Sequence, residues 1–335
     1  MRRLIFLLAI IFSIGLTSCN SGHKSKLKVN ISQSKLKNIQ IKQYGKALFE
    51  ADTANLQAAL KALQPEFHQF LMADLNDPEN IRQLYDFVSD TFLINLNKKS
   101  RQTYSDITKL EQELLPVFQR FEYYFPDRQL PEVFTYISGL NIQMPIIAGQ
   151  DAIAIGLDCY LDTSTRVYDL AGIPKYKSRR MNPDYLPRDI AAAIHDAYLP
   201  ASEKPSTILD EIVQSGKKLF FIEAMLPEVS DEVLLGYTTE QLDWARQHEG
   251  DIWALLVGDQ LLYSNSFEAF NKLFNDGPFS SGFDEKAPAR LGEFIGLQLI
   301  RSYALHHDDF CLKRLLRTQD AQGILIEARY KPVKK

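Results

Sequence analysis

The hydrophobic period of the chain changes from helical to extended at Pro131-Glu132-Val133-Phe134-Thr135-Tyr136-Ile137. The β-branched and aromatic residues of this run are typical of a strand, and Ser138-Gly139 ends it. A second extended run covers residues 152–161, after a turn-like segment at residues 141–151. We predict that the two runs pair as a small antiparallel sheet.

Helical periodicity dominates the chain on both sides of these strands. Before them, apolar spacing predicts helices at residues 53–75, from Asp77-Pro78 to Phe92, and at residues 105–125 with a kink at Pro116. After them, it predicts helices at residues 183–199, 205–225, two short ones that divide at Gly250, and 267–274, 288–306, 309–317 and 320–329. The order predicts an α+β fold that is predominantly α-helical, with the small antiparallel sheet packed against helices.

The first residues resemble an export signal. Met1-Arg2-Arg3 is cationic, and residues 4–16 are almost entirely apolar but too few to span a bilayer, which takes roughly 20 residues. Leu16-Thr17-Ser18-Cys19 then matches a bacterial lipobox, in which the Cys thiol is lipidated and becomes the first mature residue. We predict a signal peptide at residues 1–18 and a lipid anchor on Cys19, in preference to an ordinary secretory signal followed by an incidental Cys.

A basic segment follows the predicted anchor. It carries seven lysines and no acid before Glu50; the lysines are Lys24, Lys26, Lys28, Lys35, Lys37, Lys42 and Lys46. Each cation near an anionic membrane adds on the order of 1 kcal/mol of attraction, although a soluble spacer fits the same composition. We predict that residues 19–46 are a lipidated, flexible basic tether and that residues 47–335 form a single globular domain.

Composition excludes some classes of partner. The formal charge of the chain is −4, and removal of Arg2 and Arg3 with the leader brings it to −6. An acidic body argues against nucleic acid, which needs a basic surface. Apart from Cys19 the chain has only Cys159 and Cys311, which we predict to be two buried thiols rather than a disulfide.

Helices around a small sheet also occur in exported zinc peptidases, whose sequences carry a characteristic metal-binding motif. The motif needs His-Glu-x-x-His on one helix face and a third ligand from a later helix. His195-Asp196 lies on the helix after the strands, but Leu199 occupies the second His position. Glu211 and Glu223 lie on the next helix without a defined place. We therefore predict no catalytic, cofactor-binding or metal site, and keep as the alternative a metallohydrolase assembled from His195, Asp196 and Glu223.

Other catalytic signatures are missing from the sequence. It contains no Gly-x-Ser-x-Gly elbow, Walker phosphate loop or Gly-x-Gly-x-x-Gly fingerprint. The cluster His306-His307-Asp308-Asp309 is interpreted as a helix end followed by a cap. The basic run at residues 175–180 is interpreted as a solvated loop.

Several short runs, in order, resemble one protein family. They include Phe125-Pro126-Asp127, Tyr136-Ile137-Ser138-Gly139, Gly172-Ile173-Pro174-Lys175-Tyr176, Gly216-Lys217-Lys218-Leu219-Phe220-Phe221, Gly236-Tyr237-Thr238-Thr239-Glu240-Gln241-Leu242-Asp243-Trp244 and Tyr330-Lys331-Pro332. With the lipobox, these runs resemble the GldB-type gliding-motility lipoproteins of Bacteroidetes over roughly residues 45–333.

The resemblance implies a non-enzymatic accessory or scaffold protein of gliding motility and type IX secretion. It implies two partners, a membrane through the lipid on Cys19 and other envelope proteins of the machinery, and no cofactor. The family is similar in outline to zinc peptidases, which implies a degenerate zincin scaffold. The residues after Cys19 include no acid before Glu50, which favours a periplasm-facing protein. The alternative function is a divergent metallopeptidase-like hydrolase of the cell envelope.

Overall fold

The computed structural model describes residues 22–199 and 206–332. The predicted signal peptide and Cys19 lie outside this part of the chain. Within it, no helix combines the length and apolar character needed to cross a membrane. Most of the described residues are helical and a small sheet accompanies them, so the predicted α+β class is confirmed.

The sheet has four strands and is mixed. They are β1 (Ile41–Gln43), β2 (Glu132–Tyr136), β3 (Ile146–Ala148) and β4 (Ala152–Gly156), in the order β1-β2-β4-β3. The predicted antiparallel pairing of the two main runs is wrong, because β2 and β4 are parallel. The segment between them contains β3, which pairs antiparallel with β4 and reverses the chain before β4 begins.

Strand β2 is covered by hydrophobic residues on both faces. Val133 faces the main hydrophobic core, whereas its neighbour Phe134 belongs to a second, smaller cluster with Tyr44, Leu60 and Phe67. Successive residues of a strand point to opposite faces. The sheet therefore separates the small N-terminal cluster from the main core.

Six described helices precede β2, and the first of them also precedes β1. They are α1 (Gly22–Lys26), α2 (Tyr44–Phe49), α3 (Leu56–Leu63), α4 (Pro78–Ser89), α5 (Thr91–Thr103) and α6 (Ile107–Tyr124). The helix predicted for residues 53–75 ends at Leu63, because Pro65 has no N–H to continue the ladder. The helix predicted from Asp77 to Phe92 is divided, since Asp90 ends α4 and caps α5.

Eleven described helices follow the sheet. They are α7 (Val167–Leu170), α8 (Lys175–Ser178), α9 (Leu186–Tyr198), α10 (Ile208–Met225), α11 (Asp231–Leu235), α12 (Thr239–Gln247), α13 (Glu249–Gly258), α14 (Phe267–Phe274), α15 (Leu291–His306), α16 (Leu312–Arg317) and α17 (Ala321–Ala328). Single 3-10 turns lie at Ile31–Gln33, Thr53–Asn55, Leu157–Cys159, Pro183–Tyr185 and Leu261–Tyr263. The predicted division at Gly250 falls instead at His248, between α12 and α13.

Helices α10 and α15 form the centre of the main core and are the most extensively packed pair of elements. They cross at Gly216 and Gly296, where a Cβ on either glycine would come within 2.3 Å of the opposing backbone. Only glycine permits this approach. The crossing makes α10 a rigid support for side chains on either side of it.

The basic segment does not behave as the predicted tether within the described residues. His23 is 5% exposed, Leu27 is completely buried in the main core, and Ile41 belongs to the edge strand β1. The lysines alternate with these buried positions, and their number makes the segment resemble a solvated one when composition alone is considered. The flexible tether predicted for residues 19–46 is therefore wrong from residue 22 onward.

The two remaining cysteines are both free and differ in exposure. Cys159 is buried, as predicted, and its burial raises the pKa of the thiol to about 12. Cys311 is exposed at the start of α16, so the prediction of a buried thiol is wrong there.

Candidate functional site

A groove of about 560 Å³ lies beside α9 and α10, in the region where the sequence suggested a degenerate peptidase site. Asn182 caps the 3-10 turn Pro183–Tyr185, which leads directly into α9, and α10 begins at a Thr207–Asp210 capping box. The groove is lined mainly by charged and polar side chains, which include Arg188, His195, Asp196, Glu211, Lys217, Lys218, Arg290, Glu293 and Gln319. We refer to it as the α9–α10 groove.

His195 and Asp196 connect α9 to α10. The His195 Nδ1 lies 3.0 Å from Asp196 Oδ1, and Lys218 Nζ donates to Asp196 Oδ2 at 2.6 Å. Burial raises the pKa of Asp196, but His195 and Lys218 outweigh burial and leave the pKa below its usual value. The carboxylate is thus charged and already engaged by two partners.

Glu211 is another acid of the groove and is half-buried. Burial of its carboxylate, together with the nearby Glu293, raises its pKa. Glu293 itself pairs with Arg290, whose Nη1 is 3.0 Å away. Glu211 therefore offers a half-buried acceptor to a ligand entering the groove.

Glu223 lies away from the groove, in a buried network on another side of α10. Its Oε1 is 3.0 Å from His23 Nε2 and 2.7 Å from Arg301 Nη2, and the side chain is completely buried. Arg301 also binds Asp231 at 2.6 Å. Burial raises the pKa of Glu223, but His23 and Arg301 outweigh that effect and lower it. The fold therefore does not bring Glu223 to His195, as the alternative metallohydrolase requires.

The described residues do not form a cluster of metal ligands. Across residues 22–199 and 206–332, no three His, Cys, Asp or Glu side chains are grouped so that they could hold a metal ion. The His306-His307 pair agrees with its interpretation as a helix end, since the Nδ1–H of each ring donates to a backbone carbonyl one turn earlier in α15.

Sequence reasoning missed several members of the groove. Lys217 is 8% exposed, its Nζ donates to the Thr318 carbonyl, and burial lowers its pKa to about 8. The two lysines at the start of the otherwise apolar run 216–222 were the signal that could have marked it. Arg290 directly precedes α15 and Glu293 lies in its first turn, and no local pattern connects them to α9.

Comparison with known proteins gives one match. A family model described as gliding motility protein GldB matches residues 24–332. No curated protein and no solved structure matches the chain. The matched range includes both helices of the groove and begins one residue after the buried His23.

Proposed function

Since the chain belongs to the GldB family of gliding motility proteins, we propose that it is a lipid-anchored accessory protein that binds another envelope protein in the α9–α10 groove. It catalyses no reaction and serves the motility and type IX secretion machinery. Its anchor is the lipid on Cys19, and its body faces the periplasm. The His195-Asp196 helix is the remnant of a zincin-like scaffold.

The anchor is supported by the lipobox at Leu16-Thr17-Ser18-Cys19. One acyl chain holds a protein only marginally, whereas two chains hold it stably. A lipidated cysteine carries at least two. Attachment through Cys19 therefore suffices to keep the protein at the envelope.

The observation that carries the binding role is the half-buried carboxylate of Glu211 in a groove lined by charged side chains. Burial and the nearby Glu293 disfavour its charged form, and a donor from a ligand would offset that effect. A lysine, an arginine or the backbone N–H groups of an extended partner segment would supply such a donor. The neighbouring charges Lys218, Arg188 and Glu293 lie in the same groove and set the register of that segment.

A photo-crosslinking amino acid at Gln319, an exposed position in the groove, tests this role in the native membrane. We expect a discrete crosslinked protein from Gln319 and none from Tyr85, which is exposed on α4. Glu211→Gln should reduce the crosslink at least tenfold, whereas the matched change Glu268→Gln on the exposed face of α14 should leave it intact. A crosslink that is unchanged by Glu211→Gln would refute the binding role.

A separate variant tests the absence of catalysis. His195→Ala removes the imidazole ring from the position that corresponds to a zinc ligand in the peptidase motif, but it leaves Asp196 paired with Lys218. We expect normal motility and surface-protein delivery in a strain that carries it. Loss of these functions with an intact crosslink at Gln319 would indicate a chemical role for His195.

A further inference from the structure

The chain is fixed to the body almost immediately after the predicted lipid attachment site. His23 is buried against Glu223 and Arg301, and its ring lies 6.4 Å from that of Phe220. Lys26 donates to the His307 carbonyl, and Leu27 is completely buried. The docked part of the chain therefore begins at α1.

The connection between Cys19 and α1 is short. Only Asn20 and Ser21 separate Cys19 from Gly22, and three extended residues reach at most about 11 Å. A body of this length has a radius of gyration of about 20 Å. A lipid on Cys19 would thus hold one particular face of the body against the membrane, since the body cannot turn away on so short a connection.

That face contains the exposed end of α15 and the neighbouring helix α17. Leu305 is 48% exposed and lies beside Gly22, where a Cβ would come within 2.7 Å of its Cδ1. One turn earlier, Ser302 donates to the Ala328 carbonyl at 2.7 Å. Ile326, on the outer side of α17, is 66% exposed. Leu305 therefore lies in water beside the start of the docked chain, and Ile326 lies in water on the helix that packs against α15.

Further apolar residues and cations continue this surface. Val257 and Tyr263 are both exposed and share a shallow pocket with Ile326, Arg329 and Lys331. The cations are exposed, and the sequence continues with Lys334 and Lys335 outside the described residues. The nearby acid Glu327 is paired with His307 at 3.1 Å, although Asp308 is fully exposed. We call Leu305, Ile326, Val257, Tyr263, Arg329 and Lys331 the anchor face.

We propose that the anchor face lies in the headgroup region of the membrane to which Cys19 is attached. The apolar side chains enter the acyl boundary, the tyrosine lies at headgroup level, and the cations contact anionic lipid. The proposal rests on the lipid anchor of the proposed function. It goes beyond that function because it fixes the orientation of the body, and with it the position of the α9–α10 groove relative to the membrane.

A fluorescent probe that responds to its environment tests the orientation. The lipidated full-length protein carries Cys311→Ser, which removes the exposed native thiol, and a probe at Ile326→Cys. It is reconstituted into vesicles of phosphatidylethanolamine and phosphatidylglycerol with brominated acyl chains. We expect blue-shifted emission and at least twofold quenching at Ile326. A probe at Met72→Cys, which is 81% exposed beyond α3, should stay unquenched.

The outcomes separate the two proposals. If the protein carries no acyl group on Cys19 and does not float with vesicles, the anchor itself is refuted. If it floats but the Ile326 probe behaves like the Met72 probe, the orientation is refuted and the anchor stands.

An insertion variant examines the short connection. Twenty Gly and Ser residues between Ser21 and Gly22 give a linker that spans roughly 25 Å. We expect the protein to float as before with weaker quenching at Ile326. Quenching that persists undiminished would refute the argument that the short connection orients the body.

Discussion

Gly216→Ala should destabilise the protein through the crossing of α10 and α15. A Cβ at position 216 would lie 2.3 Å from the Gly296 oxygen, whereas ordinary contacts begin at 3.4 Å. The obstructing atoms belong to backbone, so no side chain can rotate away. The two helices must therefore separate locally by about 1 Å, the difference between these distances.

The magnitude follows from two opposing effects. Overpacking of a close-packed core costs about 1–3 kcal/mol, and the upper end applies because two helix backbones must move. Alanine recovers about 1 kcal/mol over glycine within a helix. We expect a net loss of about 2 kcal/mol in the free energy of unfolding.

Urea denaturation followed by circular dichroism measures this loss, with the mature Cys19→Ser chain as the parent protein. Gly258→Ala is the matched control, because α13 also contains this glycine and no atom lies within 4 Å of its Cβ position. We expect the control to be neutral or stabilised by up to about 1 kcal/mol. Equal stability of Gly216→Ala and Gly258→Ala would refute the proposed crossing.

Three further predictions concern buried groups. Asp231→Asn should lower the free energy of unfolding, measured by urea denaturation, by about 2 kcal/mol at pH 7 and about 1 kcal/mol at pH 3. The pKa of Asp231 in the folded protein is lowered to about 2, so its contribution to stability disappears as the pH falls from about 4 to 2. The control Asp86→Asn, in an exposed ion pair, should change stability little at either pH. Iodoacetamide should modify Cys311 in the native protein but Cys159 only after unfolding, because Cys159 is buried. Mass spectrometry of tryptic peptides measures both modifications, and rapid modification of both cysteines would contradict the burial of Cys159. Gly236→Ala should lower the free energy of unfolding by at least about 1 kcal/mol, because Gly236 ends α11 with φ +67° and alanine is strained in this left-handed conformation. A melting temperature equal to that of the wild type would contradict this expectation.

Local pattern was sufficient for most helices but not for the pairing of the strands. Phe267–Phe274 begins and ends where apolar spacing predicts, because Ser266 and Asn275 mark its limits in the sequence. The direction of β4 relative to β2 depends on β3, a strand of three residues in an apparent turn. Strand β1 is equally short and lies within a lysine-rich segment, so its pairing with β2 has no local signal.

The candidate site was predictable only in part for the same reason. The sequence places His195 and Asp196 together because they are neighbours on one helix. It could not assign Glu223 to His23, 200 positions away, or bring α15 beside α9. The lysine-rich composition after Cys19 suggested solvation, whereas His23 and Leu27 are buried by contacts with distant helices. Long-range packing decided each of these cases.

The mass of the N-terminal peptide from the membrane fraction of the native host tests the central claim most directly. The account predicts that this peptide begins at Cys19 and carries a diacylglyceryl group on its thiol, and that Cys19→Ser moves the protein out of that fraction. A chain that retains residues 1–18 with an unmodified Cys19 thiol, or a Cys19→Ser protein that remains fully membrane-bound, would contradict it.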